Sequence, residues 1–152
     1  MIGNEHNMNK KLVLHVEDEM SHAMLVKRWI DKNALPIDYV HLLDGEDALD
    51  YLFHSGKYQN NERSPMPDLI LLDIRLPKIS GIDVLKQIKS NPKTKFIPTI
   101  MLSTSKSNEN IIESYINNAN SYLNKNLDLN QFYLMMDHML NYWLSFNLIP
   151  EN

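Results

Sequence analysis

The chain contains no cysteine. That excludes disulfides, thiolate metal ligands and a cysteine nucleophile. It also lacks any apolar run near the roughly 20 residues a membrane-spanning helix needs, so no membrane partner is expected. Basic residues are in the minority: 15 Lys and Arg face 19 Asp and Glu, a net charge of −4. Phosphate backbones are held by basic surfaces, so nucleic acid is not an expected partner either. The first residues, Met1 to Lys11, are polar and lack the apolar core of a signal peptide. The expected compartment is the cytoplasm.

What is present fits one domain of ordinary size, 152 residues, long enough to bury roughly 68–70% of its unfolded surface. No linker, repeat or low-complexity stretch divides it, so the expectation is a single domain over 1–152, with its core at about 10–145. Short apolar runs read as strands: 12–16, 39–43, 69–72, 97–102 and 121–123. They are continuous rather than alternating, which suits strands covered on both faces. Helical patterns lie between and after them, near 21–33, 45–54, 81–90, 108–118 and 129–145. This alternation predicts an α/β fold with a parallel sheet and helices on both sides. Asp44 is placed to cap the second helix, and Asp128 with Gln131 to open the last. Residues 55–68 read as one long polar loop.

Open α/β sheets place their sites at the carboxyl ends of the strands. Reading only those ends gives Glu17-Asp18-Glu19 after the first strand and Asp73 after the third. Ser103-Thr104-Ser105 follows the fourth, and the fifth leads to Lys125. Taken singly, an acidic residue at a strand end is equally well a helix cap. With strands one and three as neighbours, however, three carboxylates would converge with a hydroxyl and an ammonium beside them. Clustered carboxylates repel unless some are protonated or a cation sits among them. Oxygen ligands alone select a hard cation such as Mg²⁺. With the hydroxyl and the ammonium, the set suits a tetrahedral dianion beside the metal, the chemistry of phosphoryl transfer. A carboxylate can itself be the acceptor, giving an aspartyl phosphate.

These segments have a recognisable look. Val16-Glu17-Asp18-Glu19, Leu71 to Pro77, Gly81, Met101 to Ser105 and Ser121 to Lys125 together resemble a receiver domain of two-component response regulators. The resemblance covers about residues 10–145. It implies a flavodoxin-like, doubly wound sheet of five parallel strands in the order 2-1-3-4-5, with five helices. It implies Asp73 as phosphoacceptor, with Asp18, Glu17, Asp73 and the main-chain carbonyl of Arg75 around Mg²⁺. Ser103, with Thr104 next to it, and Lys125 would contact the phosphoryl group, and Ser103 and Tyr122 would form the switch. The implied donor is a sensor histidine kinase. The loop 55–68 and the tail from Tyr142 to Pro150 resemble the single-domain branch associated with phytochrome-type sensor kinases. One departure stands out: the family usually follows its lysine with proline, often through a cis peptide, and here Asn126 follows Lys125. A trans bond is expected, with Asn126 absorbing the turn in a left-handed conformation.

The remaining features are weaker. Six histidines, His6, His15, His22, His41, His54 and His138, show no metal-binding spacing and read as surface or satisfied core residues. The methionines read as core filler. The last helix carries Phe132, Met135, Met136, Met139, Leu140, Trp143 and Leu144 at helical spacing, and Tyr133, Tyr142, Phe146 and Leu148 besides. That exceeds what one face hides, so a homodimer through the last helix and the tail 142–152 is expected. The leading function is a receiver without its own output domain, acting through a protein contact that phosphorylation makes or breaks. The alternative is an aspartate-nucleophile phosphohydrolase of the haloacid-dehalogenase kind. Its signature places a second Asp two residues after the nucleophile, where this chain has Arg75. A degenerate receiver serving only as a structural partner is a third reading, which the intact acidic set opposes.

Overall fold

A computed structural model describes residues 10–60 and 64–151. Strands and helices alternate along them: β1 (Lys11–Val16), α1 (Met20–Lys32), β2 (Ile37–Leu42), α2 (Gly45–Phe53), β3 (Leu69–Asp73), α3 (Gly81–Ser90), β4 (Thr99–Ser103), α4 (Asn108–Ile116), β5 (Ser121–Asn124) and α5 (Leu129–Asn141). The strands form one parallel sheet in the order β2-β1-β3-β4-β5. This is the expected flavodoxin-like order, and the five helices cover both faces.

The central strand shows why the apolar runs are continuous. Successive side chains of a strand point to opposite faces. Leu69 and Leu71 of β3 join a core with Val26, Trp29 and Ile30 of α1 and Phe132, Met136 and Leu140 of α5. Ile70 and Leu72 join the opposite core with Leu49 and Leu52 of α2 and Leu85 and Ile88 of α3. All four strand residues are fully buried, each contributing roughly 2–3 kcal/mol relative to exposure. His15 lies in β1 between Leu14 and Val16, so it takes the α1/α5 face. There it is buried with its Nδ1 2.7 Å from the Tyr39 hydroxyl.

Caps set where the helices start, and hence what the strand ends present. Asp44 and Asp128 accept from the main chain of Asp47 and Gln131, as their positions in the sequence suggest, and Ser80 does the same for Asp83. Gly81 opens α3 hard against the end of β3. A Cβ there would sit 1.9 Å from the Asp73 carbonyl oxygen, so only glycine allows the approach.

Beyond shifts of a residue or two at several ends, four features depart from the sequence reading. β2 spans 37–42 rather than 39–43, because Leu43 is turned out ahead of the Asp44 cap. β4 begins at Thr99 rather than 97; Pro98 has no N–H to pair, though its carbonyl accepts from Ile70. Within the loop 55–68, a 3₁₀ turn forms at Gly56–Tyr58, and residues 61–63 lie outside the described ones. The last helix does not run unbroken to 145. α5 ends at Asn141 and a π-helical turn, Tyr142–Phe146, follows, closed by the Asn147 N–H on the Tyr142 carbonyl at 2.8 Å. This turn divides the aromatic tail. Leu144 is buried and Trp143 packs on the core, while Tyr142 and Phe146 stay exposed. The Tyr142 and Trp143 rings meet edge to face at 4.9 Å. No helix among the described residues is long and apolar enough to cross a membrane.

Candidate functional site

The sheet order makes β1 and β3 neighbours, and their carboxyl ends bring the acidic residues together. Oxygens of Glu17, Asp18 and Asp73 lie within 4.8 Å of one another. Asp18 is exposed, whereas Glu17 is fully buried and Asp73 nearly so. Lys125 reaches this cluster from beyond β5. Its Nζ donates to Glu17 Oε1 at 2.8 Å and to Asp73 Oδ2 at 3.1 Å. The reach is set by the register: Asn124 pairs with Ser103 in the β4–β5 ladder, and the Lys125 N–H extends it to the Ser103 carbonyl at 2.8 Å.

Burial pushes the Glu17 carboxyl up to about 8, and the neighbouring Asp73 adds to the rise while Lys125 opposes it. Oε2 of Glu17 is buried without a hydrogen-bond partner among the described residues. Such an atom normally carries a cost of about 1–3 kcal/mol, which a ligand would remove. With oxygen donors only and the sign of the charge, Glu17, Asp18 and Asp73 fit a hard divalent cation.

The other expected residues surround this centre. Arg75 follows Asp73 by two, its main-chain N–H 3.4 Å from Asp73 Oδ1 and its side chain exposed. Ser103 is buried at the end of β4, one residue past the partner of Asp73, and its hydroxyl accepts from the Ser105 N–H at 3.0 Å. Thr104 beside it is exposed. Tyr122 in β5 is half-buried and donates its hydroxyl to the Ser105 carbonyl at 2.8 Å. Ser103 and Tyr122 thus hold the same short loop.

No peptide bond among the described residues is cis, so Lys125–Asn126 is trans as expected. The expected means is not the one used. Asn126 is absent from the residues with positive φ. Instead the Asn124 side chain accepts the Asn126 N–H at 2.9 Å, and the Leu127 N–H closes on the Lys125 carbonyl at 2.9 Å.

The sequence reading passed over His22, taking it for an ordinary surface or core histidine. It sits in the first turns of α1 with Nδ1 3.0 Å from Glu17 Oε1, 3.2 Å from Glu19 Oε2 and 3.2 Å from Lys125 Nζ. Its position five residues after Glu17, on the helix that follows the acidic strand end, was the available signal. His41 donates Nε2–H to the Glu17 carbonyl at 2.7 Å. A pocket of about 330 Å³ opens behind these groups between α1 and α5, lined by His15, Glu17, His22, Leu25, Lys125 and Phe132.

Comparison with known proteins agrees with this geometry. The family model for the response regulator receiver domain matches residues 13–137. Response regulator Rcp1 of Synechocystis is 36% identical over 140 residues, covering 92% of this chain and 93% of that protein. The crystal structure of the phosphorylated cyanobacterial phytochrome response regulator RcpA is similar with a TM-score of 0.87 at 36% identity, over 93% of this chain and 99% of that one. The Mn²⁺-bound form of Rcp1 is similar with a TM-score of 0.84, at the same identity and coverage.

Proposed function

The chain belongs to the response regulator receiver domain family, and from that premise we propose that it accepts a phosphoryl group from a sensor histidine kinase on Asp73. The observation that carries this is the setting of Asp73: a strand-end carboxylate, nearly buried, bonded to Lys125 and within 4.8 Å of Glu17 and Asp18. In the step, an Asp73 carboxylate oxygen attacks phosphorus. The P–O bond forms as the P–N bond of the phosphohistidine breaks; the ring, already protonated on its other nitrogen, keeps the bond pair and leaves as neutral imidazole. Lys125 moves its ammonium from the Asp73 oxygen to a phosphoryl oxygen. The Ser103 hydroxyl gives up the Ser105 N–H from which it accepts and donates its own proton to another phosphoryl oxygen. Glu17, Asp18, Asp73 and the Arg75 carbonyl would hold Mg²⁺, which when bound neutralises charge on the phosphoryl oxygens. The similarity to a Mn²⁺-bound relative supports that cation site.

The output is a changed protein-contact surface. When Ser103 turns to the phosphoryl group, the loop it shares with Tyr122 is released, and Tyr122 can leave the Ser105 carbonyl. Ile112, Tyr115 and Ile116 are exposed on α4, which packs against β5. A homodimer through α5 and the tail fits the exposure of Tyr142, Phe146 and Leu148. Likeness to a phytochrome response regulator supports a kinase of the phytochrome type; the compartment proposed is the cytoplasm.

Mass spectrometry after incubation with Mg²⁺ and a small phosphodonor tests the reading. One phosphoryl group should appear on Asp73 and be lost in Asp73→Asn. Label that survives this change would refute it. Continuous release of phosphate without accumulated label would favour the phosphohydrolase.

A further inference from the structure

His22 is an ionisable side chain at the acidic centre that the proposed transfer leaves without a task. Its contacts are specific. Nδ1 lies 3.0 Å from Glu17 Oε1, the same oxygen that Lys125 Nζ holds at 2.8 Å, and 3.2 Å from that Nζ; with its proton on Nδ1 the ring donates to Oε1. The other Glu17 oxygen, Oε2, is buried with no partner among the described residues. One oxygen of this carboxyl is thus held from two sides while its twin is left open. Partners of this kind around a metal-binding carboxylate fix which oxygen faces the ion.

We propose that His22 is a positioning residue: with Lys125 it holds Oε1 of Glu17, leaving Oε2 to the cation, and it keeps that hold when Lys125 is drawn to an anion on Asp73. The inference rests on the reading of the site given above. In the structure the Lys125 ammonium is shared between Glu17 and Asp73. A phosphoryl group on Asp73 would draw the Lys125 ammonium towards itself and loosen its share in Glu17. Among the described residues His22 is the other side chain within hydrogen-bond reach of Oε1, so the hold passes to it as Lys125 is drawn away. Glu19, 3.2 Å from the same Nδ1 and exposed, steadies the ring from the solvent side. His22 would thus matter least in the resting protein and most in the phosphorylated one.

The test is Mn²⁺ affinity, read as free Mn²⁺ by electron paramagnetic resonance, with and without beryllofluoride as the anion on Asp73. Two variants separate positioning from bulk. His22→Leu keeps volume without a donor. His22→Asn places an amide nitrogen two bonds from Cβ, where Nδ1 stands. We expect His22→Leu to lose about threefold in affinity without the anion and at least tenfold with it, and His22→Asn to stay within about twofold of wild type in both. His22 is partly exposed on a helix, where both variants should fold, and far-ultraviolet circular dichroism checks this. Equal affinities for wild type and His22→Leu, or a loss that the anion leaves unchanged, would overturn the role of His22 alone. Wild-type protein that binds no Mn²⁺ would overturn the site reading with it.

Discussion

His15 and Glu17 are two residues apart on β1, both buried, and acid should pull on them in opposite directions. Burial, with His41, Lys125 and His22 nearby, pushes the His15 imidazole from 6.5 down to about 3. Below about pH 6.5 the unfolded chain takes up a proton there that the folded one refuses. This stability is full above 6.5 and is lost as pH falls. Between about pH 7.5 and 5 the loss comes to about 2 kcal/mol, from 1.5 units at 1.36 kcal/mol each. Glu17 is raised from 4.5 to about 8, so the folded chain takes the proton first, and stability grows as pH falls from 8 towards 4.5. Over the same interval that is about 3 kcal/mol, reduced to about 2 because the adjoining pocket admits water. In the absence of divalent cations the two slopes nearly cancel. The assay is urea unfolding followed by circular dichroism at about pH 7.5, 6 and 5 with a chelator present. Relative to wild type, His15→Phe should become more stable by about 2 kcal/mol on going to pH 5, and Glu17→Gln less stable by a similar amount. Groups common to all three proteins drop out of that comparison. Parallel profiles for the three would refute the reasoning.

Lys125 already neutralises Asp73, and Asp18 is exposed. Asp18→Ala should therefore shift metal-free stability by less than about 0.5 kcal/mol while weakening Mn²⁺ binding at least tenfold; calorimetric titration beside thermal unfolding measures both. Gly81→Ala would press a methyl against the Asp73 carbonyl oxygen and the Ile74 Cα, both main chain. A cost of about 3 kcal/mol or more is expected in chemical denaturation, and a loss under 1 kcal/mol would show that α3 can back away. Tyr142 and Phe146 are exposed, so Tyr142→Glu with Phe146→Glu should leave the fold intact and give monomers by sedimentation velocity. A wild-type protein already monomeric at tens of micromolar would remove the dimer. Deleting the whole tail is a poorer test, because Leu144 is buried in the core.

The sheet was legible because β1, β3 and β4 are apolar on both faces, and the helices between them announce themselves through Asp44, Asp128 and their periodicity. The acidic centre was legible because Glu17, Asp18, Asp73 and Lys125 each end or follow a strand, so topology alone brings them together. Three things escaped. His22 was hidden because its value depends on which way the first turn of α1 leans over the strand end, and histidine is common on helices for duller reasons. The trans turn at Asn126 is held by the Asn124 side chain, a contact between neighbours that residue preferences do not specify. The break at Tyr142 follows from how Trp143 and Leu144 seat against the core, which the 3.6-residue period of the preceding helix gives no reason to expect.

The chain's tryptophans divide between two environments, and this makes the molecule its own optical probe. Trp29 lies in the core beneath α1 and should emit steadily for as long as the chain is folded. Trp143 stands edge to face with the exposed Tyr142 at the start of the π-helical turn. Whatever covers the tail must change the water around that indole. Its emission maximum is therefore a label-free readout of docking at the far end of α5, and its response to phosphodonor would report in real time whether news of Asp73 travels that far.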